Sequence, residues 1–277
     1  MFDSEDILLA AHNASATCDV AKRAVSLVDL TSLNADDTSG IIAALCQRAR
    51  TPVGPVAAVC VYPRFVAQAA ASLEGSGIKV ATVVNFPEGD APVESIQLDT
   101  RLALEAGADE IDVVLPYRDY LQGRRQQAIA VLEAVCALCH TRAGVRAQVK
   151  VILETGRLKD SAIVLAASRD AIDAGVDFLK TSTGKIETNA TLEACVAMLK
   201  AIDENSERGG RTVGLKVSGG LRDTLDAARY LALADAAMGE HWATPATFRF
   251  GASSLLDSLL ATLDRQSGKP AATQDYQ

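Results

Sequence analysis

The sequence predicts an α/β protein, a closed TIM (β/α)8 barrel, on three observations. Apolar, β-rich runs alternate with helical patterns along the whole chain, which indicates βαβ units and a parallel sheet. Eight such units can be distinguished, the number that closes this kind of barrel. The chain has 277 residues, 49% of them hydrophobic, so a single barrel with a large core accounts for its length.

The eight predicted strands are short apolar runs that end in glycine-rich or polar turns. They span residues 25–30, 56–62, 79–86, 110–117, 148–155, 178–183, 212–218 and 248–251. The helical patterns that come after them span residues 36–50, 64–75, 92–106, 118–142, 158–174, 189–207, 222–238 and 253–264. Residues 1–24 are expected to form a short N-terminal helical extension of a single domain, residues 1–265. Residues 266–277, rich in Ser, Gly, Pro and Ala, are expected to be a flexible C-terminal tail.

An internal repeat supports this order of elements. Residues 106–112 resemble residues 174–180, and two βα units separate the two segments. Asp112 and Lys180 therefore take equivalent positions, two strands apart. Because alternate strands share a layer of side chains inside such barrels, we expect these two residues to lie at one level.

Strand periodicity predicts that several charged side chains point into the barrel. Side chains alternate across a strand, and the apolar set must face the surrounding helices. Asp112, Lys180 and Lys216 fall in the opposite, inward set, so we expect them to converge. Lys150 and Glu154 share the inward parity and could pair with each other or with this group. A purely structural set of buried ion pairs is the alternative to a catalytic site.

Two lysines inside a barrel suit Schiff-base chemistry. Only an unprotonated lysine attacks a carbonyl group, and burial or a neighbouring cation lowers the pKa of a lysine. Lys216 is the expected cation beside Lys180, and Asp112 is expected to hold Lys216 charged and to relay protons. Metal-dependent aldol chemistry is not expected, because the three histidines are scattered along the chain. No cofactor is expected either.

A phosphate site is predicted at the same mouth of the barrel. Phosphate in such barrels often binds at the loops after strands 7 and 8 and at a helix N-terminus. Glycines let backbone N–H groups approach an anion, and the helix start adds the positive end of a dipole. The loops after predicted strands 6, 7 and 8 carry the candidate residues Gly184, Lys185, Gly219, Gly220, Gly251, Ser253 and Ser254.

The composition indicates which kinds of partner and which cellular compartment to expect. A net charge of −8 argues against nucleic acid as a partner and leaves room for a small anionic substrate. The sequence has no run of 18 apolar residues, so no membrane span is predicted. The acidic N-terminus lacks the basic start of a secretory signal, and the six cysteines are expected to be reduced thiols of a cytoplasmic protein. A homodimer is expected, although no residue identifies its interface.

One cysteine motif requires a separate interpretation. Cys136-Ala137-Leu138-Cys139-His140 matches the spacing of c-type haem attachment. Because no export signal is predicted, an amphipathic helix that carries two small residues is favoured over a haem site or a redox dithiol.

Eight segments resemble those of the deoxyribose-phosphate aldolases, in the same order and across almost the whole chain. They are residues 28–34, 51–54, 59–65, 84–87, 107–114, 154–156, 180–185 and 250–254. The resemblance implies a TIM-barrel class I aldolase. Such an enzyme would cleave 2-deoxy-D-ribose 5-phosphate, a small phosphorylated sugar, reversibly to D-glyceraldehyde 3-phosphate and acetaldehyde.

The same resemblance implies roles for individual residues. Lys180 would form the Schiff base, Lys216 would lower its pKa, and Asp112 would relay protons. Cys60 would line the substrate site, and its alternative role is that of a small buried apolar residue. Thr181 also falls in a matching segment and is assigned to substrate binding. Asp29 and Asn34 are the remaining matching positions.

Two departures from the family pattern stand out. Members commonly read Lys-Pro-Ala-Gly-Gly around the second lysine, where this chain has Lys216-Val217-Ser218-Gly219-Gly220. The charge is kept, backbone rigidity is lost, and Ser218 has the parity to reach a substrate or a water. Some relatives end in a tyrosine that assists proton transfer. Here Tyr276 is followed by Gln277, so a role for Tyr276 is an open alternative to a plain tail residue.

Two other functions stay open at this point. A phosphosugar-binding barrel, either a regulator or an isomerase, would use the same glycine and serine loops with Asp112 and form no imine. A related aldolase for another phosphorylated sugar would form the imine and turn over little of the deoxyribose substrate.

Overall fold

A closed barrel of parallel strands forms the centre of the molecule. The computed structural model describes residues 2–140 and 147–266. Within these ranges the barrel has eight strands, each paired in parallel with the next, and the last pairs with the first. They are β1 (Val28–Ser32), β2 (Ala58–Val61), β3 (Lys79–Val84), β4 (Glu110–Val114), β5 (Gln148–Ile152), β6 (Phe178–Lys180), β7 (Gly214–Ser218) and β8 (Phe248–Ala252). The predicted TIM barrel is confirmed.

Helices surround the barrel and precede it. In the described part of the chain they are α1 (Ser4–His12), α2 (Cys18–Val25), α3 (Ser39–Arg48), α4 (Val66–Leu73), α5 (Val93–Glu105), α6 (Tyr117–Leu121), α7 (Arg125–His140), α8 (Thr155–Leu158), α9 (Ser161–Asp173), α10 (Leu192–Glu207), α11 (Thr224–Met238) and α12 (Leu255–Gln266). Helices α1 and α2 are the predicted N-terminal extension. A 3-10 turn, Pro63–Phe65, precedes α4, and Arg50–Thr51 pairs with Gly54–Pro55 in a small antiparallel ribbon that was not predicted.

Several predicted boundaries are wrong where local geometry interrupts a pattern. The predicted helix 118–142 is divided into α6 and α7, because Gly123 between them has a left-handed backbone with φ of 82°. The predicted strand 148–155 ends early at β5, since Glu154 also has a positive φ, 55°, and the unpredicted helix α8 comes directly after it. The predicted strand 178–183 is shortened to β6.

The apolar residues of the strands pack outward, against the helices. Ile111 and Val113 of β4, Leu179 of β6, and Leu215 and Val217 of β7 are completely buried in the main hydrophobic core. Burial of such side chains stabilises the fold by about 25 cal/mol per Å² of apolar surface. Because successive side chains point to opposite faces of a strand, the residues between them face the barrel interior.

The cysteine motif near the end of α7 is part of this helix packing. Cys136 and Cys139 are buried in the main core. His140 Nε2 lies 3.0 Å from Asp177 Oδ2. The segment is therefore a helix with a buried face, as the favoured interpretation predicts.

The described residues end with helix α12. Gln266 ends α12, and residues 267–277, with Tyr276, lie outside the described residues. Within residues 2–140 and 147–266, no helix combines the length and the apolar character that a membrane crossing requires.

Candidate active site

One carboxylate oxygen, shared by two lysines, forms the centre of the site. Lys180 Nζ donates to Asp112 Oδ2 over 2.9 Å, and Lys216 Nζ donates to the same oxygen over 2.8 Å. The two amines therefore lie within about 6 Å of each other. The predicted convergence of these three side chains in the barrel interior is confirmed, and Lys180 is only 3% exposed.

The strand register explains why these side chains meet. Lys180 of β6 is the register partner of Lys216 of β7, so both side chains leave the sheet on the same face. Asp112 of β4 is likewise paired with Lys150 of β5. Lys150 Nζ donates to Asp112 Oδ1 over 3.0 Å. Of the partners that the sequence left open, Lys150 thus joins the group through the second oxygen of the same carboxylate.

A second layer of charges supports the first. Arg249 contacts Asp29 at 2.6 Å and Glu110 at 2.9 Å. Asp29 also lies 2.6 Å from Lys216, and Glu110 lies 2.5 Å from Lys150. Glu110 and Arg249 were not predicted from the sequence, and Asp29 was identified only through the family resemblance. The signal that could have found the first two was strand parity, because each alternates with outward apolar neighbours.

The ion pairs in the described part of the barrel interior join four cations to three carboxylates. The cations are Lys150, Lys180, Lys216 and Arg249, and the carboxylates are Asp29, Glu110 and Asp112. Lys180 contacts one of these carboxylates, whereas every other cation of the set contacts two or more. An unpaired buried charge is costly, so Lys180 is the group most readily left without its proton. In the described residues no group of three or more His, Cys, Asp or Glu is arranged to hold a metal ion.

The pKa values of Lys180 and Lys216 agree with this difference in their carboxylate contacts. Burial lowers the pKa of Lys180, and Lys216 lowers it further, although Asp112 acts in the opposite direction. Burial also disfavours charge on Lys216, yet Asp112 and Asp29 outweigh it and raise the pKa of Lys216. Burial would raise the pKa of Asp112, but Lys150, Lys180 and Lys216 hold it well below its usual range. Both causes that the sequence predicts, burial and the neighbouring cation, lower the pKa of Lys180, and burial is the larger of the two.

A cavity of about 260 Å³ opens onto Lys180 at the carboxyl ends of the strands. Most of the predicted phosphate-binding residues line it, namely Gly184, Lys185, Gly219, Gly220, Gly251 and Ser253. Asn34 and Ser218, which the sequence singled out, also line this cavity. A small polar cavity that ends at a perturbed lysine has the shape expected of a site for a small substrate.

Three of the predicted substrate- and phosphate-binding residues do not lie on the cavity wall. Ser254 is exposed and immediately precedes α12. Cys60 is completely buried in a small apolar cluster, and burial raises the pKa of its thiol. Thr181 joins the ends of β6 and β7, because its hydroxyl accepts from Ser218 N–H and donates to the Ser218 carbonyl, both over 3.0 Å.

The glycine turns at the mouth have a defined geometry. Gly184, Gly219 and Gly220 all have positive φ, between 78° and 82°. A Cβ at Gly219 would collide with the side chain of Asn189, so this position requires glycine for space as well as for conformation. Lys185 Nζ donates to the carbonyl of Leu33 over 2.5 Å, which holds the amine across the mouth.

Comparison with known proteins gives one family match. The sequence model described as "DeoC/LacD family aldolase" matches residues 23–261, which is most of the chain and every strand of the barrel.

Solved structures give full-length matches of the same kind. An apo-form structure from Toxoplasma gondii ME49, with a provisional deoxyribose-phosphate aldolase assignment, has a TM-score of 0.79 at 26% identity, covering 91% of this chain and 98% of its own. A Coccidioides immitis structure with the same provisional assignment has a TM-score of 0.76 at 25% identity, covering 94% and 98%. The deoxyribose phosphate aldolase of Aeropyrum pernix, described as tetrameric, has a TM-score of 0.69 at 26% identity, covering 96% and 99%.

Proposed function

Because the chain belongs to the DeoC/LacD aldolase family, we propose that it is a class I deoxyribose-phosphate aldolase. It cleaves 2-deoxy-D-ribose 5-phosphate reversibly to D-glyceraldehyde 3-phosphate and acetaldehyde through a Schiff base on Lys180. The observation that carries the proposal is the Asp112 oxygen shared by Lys180 and Lys216. It places a charged amine beside an amine of lowered pKa at the end of a substrate-sized cavity.

The reaction begins at the unprotonated amine of Lys180. Its Nζ attacks the C1 aldehyde of the open-chain sugar, and loss of water from the carbinolamine gives an iminium ion. The iminium withdraws the electron pair of the C2–C3 bond as the C3 hydroxyl loses its proton, which releases glyceraldehyde 3-phosphate and leaves an enamine. Protonation at C2 and hydrolysis of the imine then release acetaldehyde and restore the lysine.

The neighbouring side chains act on the protons of these steps. Lys216, held charged by Asp112 and Asp29, disfavours a proton on Lys180. Asp112 lies within hydrogen-bond distance of the reacting nitrogen and can pass protons while the carbinolamine loses water. A structural role alone would not require the least-paired cation of the network to face the cavity.

The other end of the cavity suits the phosphate group. The glycine turns at Gly184, Gly219 and Gly220 present backbone N–H groups, and Lys185 adds a positive charge. The N-terminus of α12 begins just after this wall and favours an anion there. Binding the phosphate at the mouth directs the aldehyde end of the sugar toward Lys180.

The assembly and the compartment remain predictions. The sequence favours a cytoplasmic homodimer, and the similar enzyme from Aeropyrum pernix is described as tetrameric. Size-exclusion chromatography with light scattering distinguishes a dimer from a tetramer.

Trapping of the imine with borohydride tests the proposed function. Incubation with acetaldehyde and borohydride is expected to leave an N-ethyl group on Lys180, located by peptide mass mapping, and the Lys180→Met variant should not be labelled there. A label on Lys150, Lys185 or Lys216 instead, or no label at all, would contradict the proposal. A phosphosugar-binding barrel without imine chemistry gives no label. An aldolase for another sugar gives the label but little turnover of deoxyribose 5-phosphate.

A further inference from the structure

Glu154, just after β5, is a buried carboxyl group that the proposed mechanism does not use. It is 1% exposed, and its backbone is left-handed, with φ of 55° and ψ of 57°. A residue other than glycine is strained in this region and persists only where its surroundings hold it. Strained positions of this kind cluster at functional sites, so the contacts of Glu154 indicate what it holds in place.

The carboxyl group of Glu154 binds the loop that comes after β6. Its Oε2 accepts from the Thr183 hydroxyl over 2.5 Å, and its Oε1 accepts from Thr183 N–H over 3.3 Å. The Thr183 hydroxyl in turn accepts the backbone N–H of Lys185 over 3.1 Å. Thr183, Gly184 and Lys185 all line the cavity that contains Lys180. A chain of hydrogen bonds thus connects Glu154 to the wall of the phosphate end.

The backbone beside Glu154 docks on the same loop. Thr155 N–H donates to the carbonyl of Thr181 over 2.9 Å. A Cβ at Gly156 would collide with the carbonyl oxygen of Thr188, so the two loops are in direct backbone contact there. The turn after β5 therefore holds the loop after β6 at both of its ends, and Glu154 provides the side-chain contact between them.

The contact uses both oxygens of the Glu154 carboxyl group. Both Thr183 groups that point at Glu154 are donors, and an ionised carboxylate is an acceptor at both oxygens. Burial raises the pKa of Glu154, while the two bonds from Thr183 and the charges of Lys180 and Arg157 favour its ionised form. A glutamine of the same size keeps both contacts only if the Thr183 hydroxyl turns to accept from its NH2 group, which replaces bonds to a charged acceptor by weaker neutral ones.

We propose that Glu154 is a positioning residue, which acts through Thr183 to fix residues 183–185 in the conformation that binds the phosphate of the substrate. The assignment rests on the proposed aldolase function for its substrate and on the contacts of Glu154 for its mechanism. It predicts that replacement of Glu154 changes KM for a phosphorylated substrate and leaves KM for the same sugar without phosphate unchanged.

Steady-state kinetics of matched variants with deoxyribose 5-phosphate and with deoxyribose test the proposal. Glu154→Gln and Thr183→Val are each expected to raise KM for deoxyribose 5-phosphate about tenfold, with kcat changed by less than about threefold. KM for deoxyribose is expected to stay at its wild-type value in both variants. Glu187→Gln is the control, because it removes a carboxylate from an exposed position of the same loop, and it should leave both KM values unchanged.

Two results would overturn the proposal. One is a KM for deoxyribose 5-phosphate in Glu154→Gln that stays within about twofold of wild type. The other is a parallel loss with both substrates, or a lower thermal midpoint without a difference between them, because either would indicate a purely structural role.

The failure of this proposal can be distinguished from the failure of the proposed function. If borohydride labels no lysine of the wild-type protein, the aldolase function is wrong. The loop can then be tested by titration with inorganic phosphate in a calorimeter. There Glu154→Gln should bind about tenfold more weakly than Glu187→Gln, and equal binding would overturn the proposal.

Discussion

Lys180 and Lys216 are register partners on neighbouring strands, yet their pKa values move in opposite directions. The difference lies in the carboxylates around them. Lys216 contacts Asp112 and Asp29, whereas Lys180 contacts Asp112 alone among the described carboxylates within ion-pair distance. An opposite charge within about 4–6 Å favours the charged form of a group, so one additional carboxylate decides which lysine keeps its proton.

Replacement of Lys216 by Leu is expected to shift the acid limb of the kcat/KM profile to higher pH. The change removes a cation that lowers the pKa of Lys180 and leaves Asp112 to favour its protonated form. Each unit by which that pKa rises lowers the rate on the acid limb about tenfold. The control is Lys185→Leu, which removes a charge from the mouth without a contact to Asp112 and should mainly raise KM. A Lys216→Leu profile with the wild-type midpoint would contradict this account of the lysine pair.

At the scale of the elements, the phosphate end is assembled from the segments directly after three neighbouring strands. The turns after β6 and β7 provide glycines with positive φ, and β8 leads through two serines into α12. Unpaired N–H groups and a positive dipole end are properties of any helix start, so α12 favours an anion whatever its sequence. The contribution of the sequence is a set of small, uncharged residues that let the anion approach.

A negative charge at the start of α12 is therefore expected to weaken phosphate binding. Ser254→Asp should raise KM for deoxyribose 5-phosphate about tenfold by repulsion between like charges, with no such rise for deoxyribose. The neutral variant Ser254→Asn, of nearly the same size as Asp, is the control and should behave like wild type. An unchanged KM for the phosphorylated sugar in Ser254→Asp would place the phosphate elsewhere.

The sequence predicts those features of the elements that depend on local periodicity. The alternation of β4, β6 and β7 was enough to turn Asp112, Lys180 and Lys216 inward, because parity survives errors of a few residues at strand ends. The left-handed backbone of Glu154 was not predictable, since it is held by Thr183 from the next βα unit. Strand parity turns Arg249 inward as well, but parity alone does not identify its two carboxylate partners, which lie far away along the chain.

At the scale of the whole molecule, the catalytic charges are also part of what holds the barrel together. The ion pairs around Asp112 and Arg249 link side chains of β1, β4, β5, β6, β7 and β8 across the interior. Removal of one partner from such a buried set leaves uncompensated charge, which is strongly destabilising. Activity and stability should therefore depend on the same carboxylates, and on pH in a related way.

Asp112→Asn is expected to lower the free energy of unfolding by about 3–5 kcal/mol at neutral pH, because three lysines lose the charge of their common partner. The pKa of Asp112 is held well below its usual range in the folded protein, while in the unfolded chain it is about 3.9. The contribution of ionised Asp112 is thus fully present above the unfolded value and is lost as the pH falls toward the folded one. Urea unfolding at a series of pH values should show a constant difference from wild type down to about pH 5 and a narrowing below about pH 4. The control is Asp257→Asn, which breaks an exposed ion pair with Arg48 and should change the free energy of unfolding little at any pH. If Asp112→Asn lowers the free energy of unfolding no more than this control does, the network has no role in stability.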